Sequence, residues 1–346
     1  LAEELSRLGQ NARVFAPFFQ NQYLKELPAD IVKGQPLAFS PRRTRIFFRI
    51  FNHLLCSRWM NSWQPDIVHE TYFSALPSPK RNCPTVASVY DMIQELFSSE
   101  FQTPQNIIRE KKKTIERVDH FISISHNTKS DFMRLYNVPA EKISVVHLGV
   151  EFQNFTDEDI PVSDNTFTTP YILYVGARRG YKNFAGLLKA VSLSKSLKSD
   201  FRIIAFGAGK FSGEEQELIK SLNFKPAQVL QIDGSDRLLQ TCYRKAAIFV
   251  YPSIYEGFGL PPLEAMAANC PVACSNTSSL PEVTGDAAAT FSPEAPEEIM
   301  QAIENVVYSR SRASQLKILG ERQARKFSWQ KCANETLEIY RKIARK

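Results

Sequence analysis

Two carboxylates bracket a turn rich in glycine and proline in YPSIYEGFGLPPLE, residues 251–264: Glu256 stands before it and Glu264 after it, with seven residues between. Gly257 and Gly259 are expected to take the positive φ that a tight loop needs and to let backbone approach a ligand closely. Pro261 and Pro262 suit the first turn of a helix, where a missing N–H costs nothing, so a helix should start there and run through Asn269 with Glu264 in its first turn. The preceding AAIFVYPS, residues 246–253, is β-branched, aromatic and bounded by Pro, and predicts a buried strand. Strand, glycine turn and helix in that order aim free backbone N–H groups and the positive helix end at one point, a ready site for phosphate. Two nearby carboxylates would repel a bare diphosphate and suit hydrogen bonds from sugar hydroxyls. A nucleotide sugar carries both kinds of group.

A second constellation is cationic. Arg178 and Lys182, in GARRGYKN, follow the strand-like YILYV, and the end of a strand is where open α/β sheets place ligands. Two cations four residues apart can clamp a diphosphate and stabilise it as it leaves, as a metal ion does elsewhere. Arg179 beside them is the weaker candidate. In SVYDMIQE, Tyr90 and Asp91 end another strand; Asp91 either orients a substrate or caps the turn that follows. The triplet Asp157-Glu158-Asp159 fits a metal-holding DxD pattern, but it sits in a polar segment with no His or further carboxylates, and it reads as solvated charge. No metal site is expected.

These groups need elements to hold them. Strand-like runs alternate with helical patterns along the chain, which predicts parallel α/β sheets. In the first part ARVFAP, DIVHE, TVASVYD, HFISIS and ISVVHLG read as strands, with helices over 106–118 and 127–136. Residues 152–170 are polar and bounded by Pro, and are taken as a linker. A second series follows: YILYVGA, RIIAFGA, VLQID, AIFVYPS, PVACS and ATFS, then helical residues 296–345 with a break near 327–329. The expected architecture is α/β, with two Rossmann-like domains, 1–151 and 171–328, facing across a cleft. At 346 residues the chain exceeds the usual limit of a single core.

Composition narrows the function classes. No apolar run approaches the ~20 residues that span a bilayer. The six cysteines show no metal-type spacing, and free thiols in a reducing cytoplasm are expected. The net charge of +7 is uneven: residues 31–65 hold no Asp or Glu but carry Lys33, Arg42, Arg43, Arg45, Arg49 and Arg58. Within that stretch Ile46, Phe47, Ile50, Phe51, Leu54 and Leu55 share one side of a helix. Such a helix either lies on an anionic membrane or packs on the first domain's sheet with a solvated Arg face. No nucleic-acid motif accompanies the charge, and no nucleic-acid partner is expected.

The glutamate pair in EGFGLPPLEAMA resembles the hallmark of the retaining glycosyltransferases of the GT-B fold, family 4 in particular. YILYVGARRGYKNF from Tyr171, AFGAGKF from Ala205 and PVACSNTSSLPEVTGDAA from Pro271 are similar to family segments in the family's order, so the resemblance covers most of the C-terminal half. It implies that Arg178 and Lys182 touch the donor's diphosphate. Glu264 would hold the nucleotide ribose, and Glu256 the donor sugar, with backbone from Gly257, Phe258, Gly259 and Leu260 helping. It implies a metal-independent reaction on one face of the sugar, with no cofactor beyond the nucleotide-sugar donor. Family members often carry His where Tyr90 stands, which leaves that residue's role open. His69, in the family-like cleft wall HETYF, is expected to be structural. VYDMIQE resembles mannosyltransferase-like members, which implies GDP-mannose as donor, a saccharide or lipid-linked acceptor, and cell-surface polysaccharide assembly from the cytoplasm, with or without peripheral membrane contact. The alternative is a catalytically silent nucleotide-sugar-binding subunit; a sugar-nucleotide epimerase is disfavoured because the glutamate motif does not belong to it. In the family a last helix crosses back to the first domain, a role that falls here to residues 329–346. The family also has a central first strand and glycine-rich loop before a helix like LAEELSRL, so an upstream continuation of roughly 15 to 30 residues is expected.

Overall fold

The computed structural model describes residues 1–37, 45–74, 76, 83–152 and 167–344. The Asp157-Glu158-Asp159 triplet, most of the expected linker, Arg42, Arg43 and the side chain of Arg45 lie outside the described residues. The chain folds into two parallel α/β halves.

The C-terminal half is one six-stranded sheet: β7 (Tyr171–Val175), β8 (Arg202–Phe206), β9 (Val229–Ile232), β10 (Ile248–Tyr251), β11 (Val272–Ser275) and β12 (Ala288–Phe291). Their spatial order is β12-β11-β10-β7-β8-β9, all parallel. Every residue of β7, β10 and β11 is buried, because helices cover both faces and an alternating pattern would bury polar groups. Chain order reverses between β7 and β10, and such a reversal opens a crevice at the strand ends.

The N-terminal half holds two sheets among the described residues. β3 (Val68–Glu70), β4 (Thr85–Val89), β5 (His120–Ser123) and β6 (Ile143–Val145) pair in that order, while β1 (Val14–Phe19) pairs in parallel with β2 (Val32–Pro36). The sequence VKGQP of β2 carries no strand signal. It forms because Gly34 lies against β1 so closely that a Cβ there would sit 1.8 Å from Ala16 O.

The basic helix, Arg45–Trp63, divides its apolar residues between two environments. Trp63 packs edge-on to Phe15 at 5.6 Å, Phe48 likewise to Phe18 at 5.6 Å, and Asn52 closes two hydrogen bonds with the backbone of Phe18. Phe47, Ile50, Phe51 and Leu54 face outward and are exposed, Phe47 by 75%. The last helices run Pro296–Val307, Arg310–Ala324 and Trp329–Ala344, so a break at 308–309 precedes the one at 325–328. Trp329–Ala344 packs on the first domain: Cys332 and Ile343 join Val86, Ile122 and Val146, and Ala333 and Leu337 join Leu5. Where this helix begins, a Cβ on Gly149 would meet Trp329 N at 2.2 Å.

Candidate active site

The crevice at the reversal is walled by the loops that leave β7 and β10. From the first comes Lys182, at the end of a single 3-10 turn; from the second comes Glu256. Lys182 Nζ lies 2.6 Å from Glu256 Oε1 and 3.3 Å from the Tyr251 hydroxyl, with both charged side chains largely shielded from solvent. Burial and the neighbouring Glu256 carboxylate push the Tyr251 hydroxyl well above its ordinary pKa, so it stays protonated beside the pair.

The helix after the turn spans Leu260–Ala267, capped at its end by Asn269 in the left-handed conformation. It ends two residues before the Asn269 that LEAMAAN suggested. Gly259 takes φ 134°, which a side chain would resist. Gly257 does not have a positive φ: its role is close approach, since a Cβ there would sit 1.9 Å from Tyr90 O and 3.0 Å from Asp91 Cβ. The Phe258 side chain turns away from the crevice and stacks on His147 at 5.8 Å and against Phe327. Among the described residues the N–H groups of Gly257, Phe258, Gly259 and Leu260 have no acceptor. They supply the helix-end donors that an oxygen-rich ligand needs.

Glu264 accepts from the Tyr243 hydroxyl at 3.1 Å. Burial raises its pKa, the Tyr243 hydrogen bond opposes that rise, and nearby Asp236 adds to it. Asp91, at the end of β4, is also raised by burial and feels the Glu256 charge across the crevice. Its Oδ1 accepts the Ile93 N–H at 3.1 Å, the turn-capping arrangement, while its carbonyl takes Lys111 Nζ at 2.9 Å. Lys111, only 1% exposed, also pairs with Glu95 at 2.9 Å and so fixes the strand end.

Arg178 stands apart from this group. Its guanidinium pairs with Glu215 at 2.7 Å and donates to the carbonyls of Gly207, Gly209 and Lys210, so it fastens the loop after β8 rather than presenting a free cation. Arg179 lies over the Phe101 ring at 5.0 Å, against the first domain. His69 is buried between Ser88 and Tyr340, and burial lowers its pKa to about 4, so it is a neutral structural group.

Sequence reasoning missed several contributors. Glu100, from the first domain, accepts the Tyr181 N–H at 3.0 Å; it lies where a Cβ on Gly180 would come within 2.8 Å of it. Tyr243 and Tyr251 read as core aromatics, and only their hydroxyl positions bring them to Glu264 and Lys182. Glu282 Oε1 accepts from His147 at 2.6 Å, and its two oxygens accept the His126 N–H at 2.9 and 3.0 Å. His126, His147 and Glu282 form the one metal-like cluster among the described residues, but those hydrogen bonds already occupy the carboxylate. It acts as an anchor between the halves.

Two parallel α/β domains thus bring a carboxylate and an ammonium together at a strand-order reversal beside a glycine-capped helix. Residues 156–323 match the family described as Glycosyl transferases group 1, and residues 1–154 match Glycosyltransferase Family 4. The chain is 30% identical over 283 residues to O-antigen chain mannosyltransferase B of Escherichia coli, covering 76% of this chain and 71% of that one. It is 32% identical over 197 residues to O-antigen chain mannosyltransferase RfbU of Salmonella typhimurium, covering 56% of this chain and 53% of that one. The fold aligns with a sucrose-phosphate synthase from Thermosynechococcus elongatus at a TM-score of 0.77 and 18% identity, covering 99% of this chain and 91% of that one. The protein therefore belongs to the family 4 glycosyltransferases and has their GT-B architecture.

Proposed function

We propose that this protein moves a hexose, mannose in the first instance, from a nucleotide-diphosphate sugar to a saccharide or lipid-linked acceptor during cell-surface polysaccharide assembly. The observation that carries it is the Lys182–Glu256 pair at the β7/β10 crevice, beside four free N–H groups at a helix start. Two O-antigen mannosyltransferases among the relatives support mannose. Glu264 binds the ribose, Glu256 the sugar hydroxyls, and Lys182 the departing diphosphate, with Arg178 holding the neighbouring 207–210 loop in place.

The reaction proceeds with retention and without a metal. Glu256 is hydrogen-bonded to an ammonium at 2.6 Å, an arrangement that suits gripping a hydroxyl and weakens it as a nucleophile. The leaving phosphate then assists deprotonation of the acceptor on the same face of the sugar, and the donor-side cations neutralise the charge that grows on it. Asp91, besides capping its turn, orients the reacting groups in this reading. The exposed stripe of Phe47, Ile50, Phe51 and Leu54, with Arg58 on the same side, supports a cytoplasmic protein that rests on an anionic membrane, where a lipid-linked acceptor would be found; Arg49 is instead paired with Glu110. No helix among the described residues is long and apolar enough to cross a membrane.

Thermal shift with GDP-mannose, GDP-fucose, UDP-glucose and UDP-N-acetylglucosamine tests the reading, since a ligand stabilises the fold by its concentration relative to Kd. GDP-mannose is expected to give the largest shift, and radiolabelled mannose should then be released or transferred. Binding without turnover would point to a silent subunit; no shift with any nucleotide sugar would overturn the proposal.

A further inference from the structure

The turn at Glu256–Leu260 is held by hydroxyl groups from two directions. From its own domain, Ser279 Oγ lies 2.9 Å from Glu256 O and 2.5 Å from Phe258 O, while Ser278 Oγ accepts the Glu256 N–H at 3.0 Å. The carbonyl between them, Gly257 O, is taken by the first domain alone: Ser125 Oγ donates to it at 2.7 Å and Thr128 Oγ1 at 2.9 Å. Ser125 and Thr128 are fully buried at the start of the helix His126–Tyr136, and that helix start is itself gripped by Glu282 of the donor half.

Peptide planarity turns these contacts into a statement about donors. In a trans peptide the C=O and the following N–H point in opposite directions, so fixing one carbonyl fixes the next N–H. Ser279, through its shorter contact to Phe258 O, thereby sets the direction of the Gly259 N–H. The Phe258 N–H is set by Ser125 and Thr128, across the domain boundary. It has no acceptor in the protein among the described residues.

We propose that Thr128, with Ser125, is a positioning residue: its hydroxyl orients the Gly257–Phe258 peptide, so the cradle for the distal phosphate and sugar of the donor is complete only when the acceptor-side domain is in contact. This rests on the donor site proposed above. Ser125 also caps its own helix, accepting the Thr128 N–H at 3.0 Å, so its removal would disturb the helix as well as the peptide. Thr128 is the cleaner probe, because valine keeps its shape and removes only the hydroxyl.

The experiment compares wild type, Thr128→Val and Thr128→Ser by calorimetry with GDP-mannose and with GMP, which lacks the distal phosphate and the sugar. Thr128→Val should weaken GDP-mannose by about tenfold while GMP binds as to wild type, and Thr128→Ser should return GDP-mannose to within about twofold. A Thr128→Val protein that binds GDP-mannose as well as wild type does, or loses GMP and GDP-mannose to the same extent, overturns the assignment. If the wild type prefers another nucleotide sugar in the thermal-shift screen, that sugar and its nucleoside monophosphate replace the pair. A wild type that binds no nucleotide sugar removes the donor site and this assignment together, whereas a normal wild type with an indifferent Thr128→Val removes this assignment alone.

Discussion

The C-terminal half carries one unbroken six-stranded sheet and the two largest buried clusters; of the exposed large apolar side chains it contributes Leu193, Tyr308 and Ile318. The N-terminal half pairs β1 with β2 apart from β3 to β6, has smaller clusters, and exposes Tyr23, Phe47, Ile50, Phe51, Leu54, Tyr72 and Leu96. The contrast separates two jobs. A continuous sheet fixes a strand-order reversal, and that reversal brings Lys182 and Glu256 together. The other half offers surfaces: buried hydroxyls against Gly257, an edge-on aromatic packing of the basic helix, and an apolar stripe turned outward.

If the donor chemistry resides in the C-terminal reversal, its loss should dominate every other change. Lys182→Ala is expected to lower turnover by about 100- to 1,000-fold while donor affinity falls far less, because charge builds on the diphosphate only as its bond breaks. Steady-state kinetics with GDP-mannose measures both. An equal loss in both parameters would move Lys182 from transition-state stabilisation to ground-state binding. Arg178→Ala should act differently, through the loop it fastens, and appear chiefly as lowered thermal stability.

Glu264→Gln sharpens the same side of the comparison. A charged hydrogen bond to ribose hydroxyls contributes roughly 1.5 to 3 kcal/mol, so GDP affinity should fall by about 10- to 100-fold. Calorimetry decides it, and unchanged affinity would detach Glu264 from the nucleotide.

How much of this was legible in the sequence follows the same divide. The C-terminal strands are buried on both faces and read as continuous apolar runs, and the local order of strand, glycine turn and helix placed Glu256 and Glu264 on neighbouring elements. What the sequence left out depends on groups distant along the chain. Gly257 was expected to adopt a positive φ, but its Cα is pressed against Tyr90 O instead. Arg178 looked like a free cation because Glu215 and the 207–210 carbonyls that hold it lie some thirty residues on. β2 was invisible because VKGQP has no strand character apart from its partner β1. The basic helix posed a choice between lipid and packing, and its two faces divide: one packs on Phe15 and Phe18, the other is exposed.

The exposed face gives the N-terminal half its own test. Replacing Phe47 and Phe51 by Ser should reduce partitioning onto vesicles of anionic lipid by about tenfold, since each ring loses apolar area available for burial in the bilayer interface. Because Phe47 is 75% exposed and Phe51 56%, melting temperature should hardly move. Co-sedimentation at low and moderate salt reads the effect. Equal sedimentation of both proteins would leave the stripe without a membrane role.

The smallest expected effect lies where the two halves join. Glu282 reaches from the donor half to the helix start at His126 and to His147, and burial works against its charge. Hydrogen bonds from His147 and from the His126 and Asn127 N–H groups outweigh that cost and hold its carboxyl below the ordinary 4.5. A carboxyl held low in the folded state stabilises the fold fully above its unfolded value and loses that contribution as pH falls through the folded value. The melting-temperature gap between wild type and Glu282→Gln should therefore be constant at neutral pH, reflecting about 1 kcal/mol for a partly exposed contact, and should close as the pH drops below 4.5. A gap that persists in acid would mean that the contact made by Glu282 does not depend on its carboxylate charge. The Gly257 clasp of Ser125 and Thr128 would then join the domains together with the Glu100–Tyr181 and Asp131–Tyr255 hydrogen bonds.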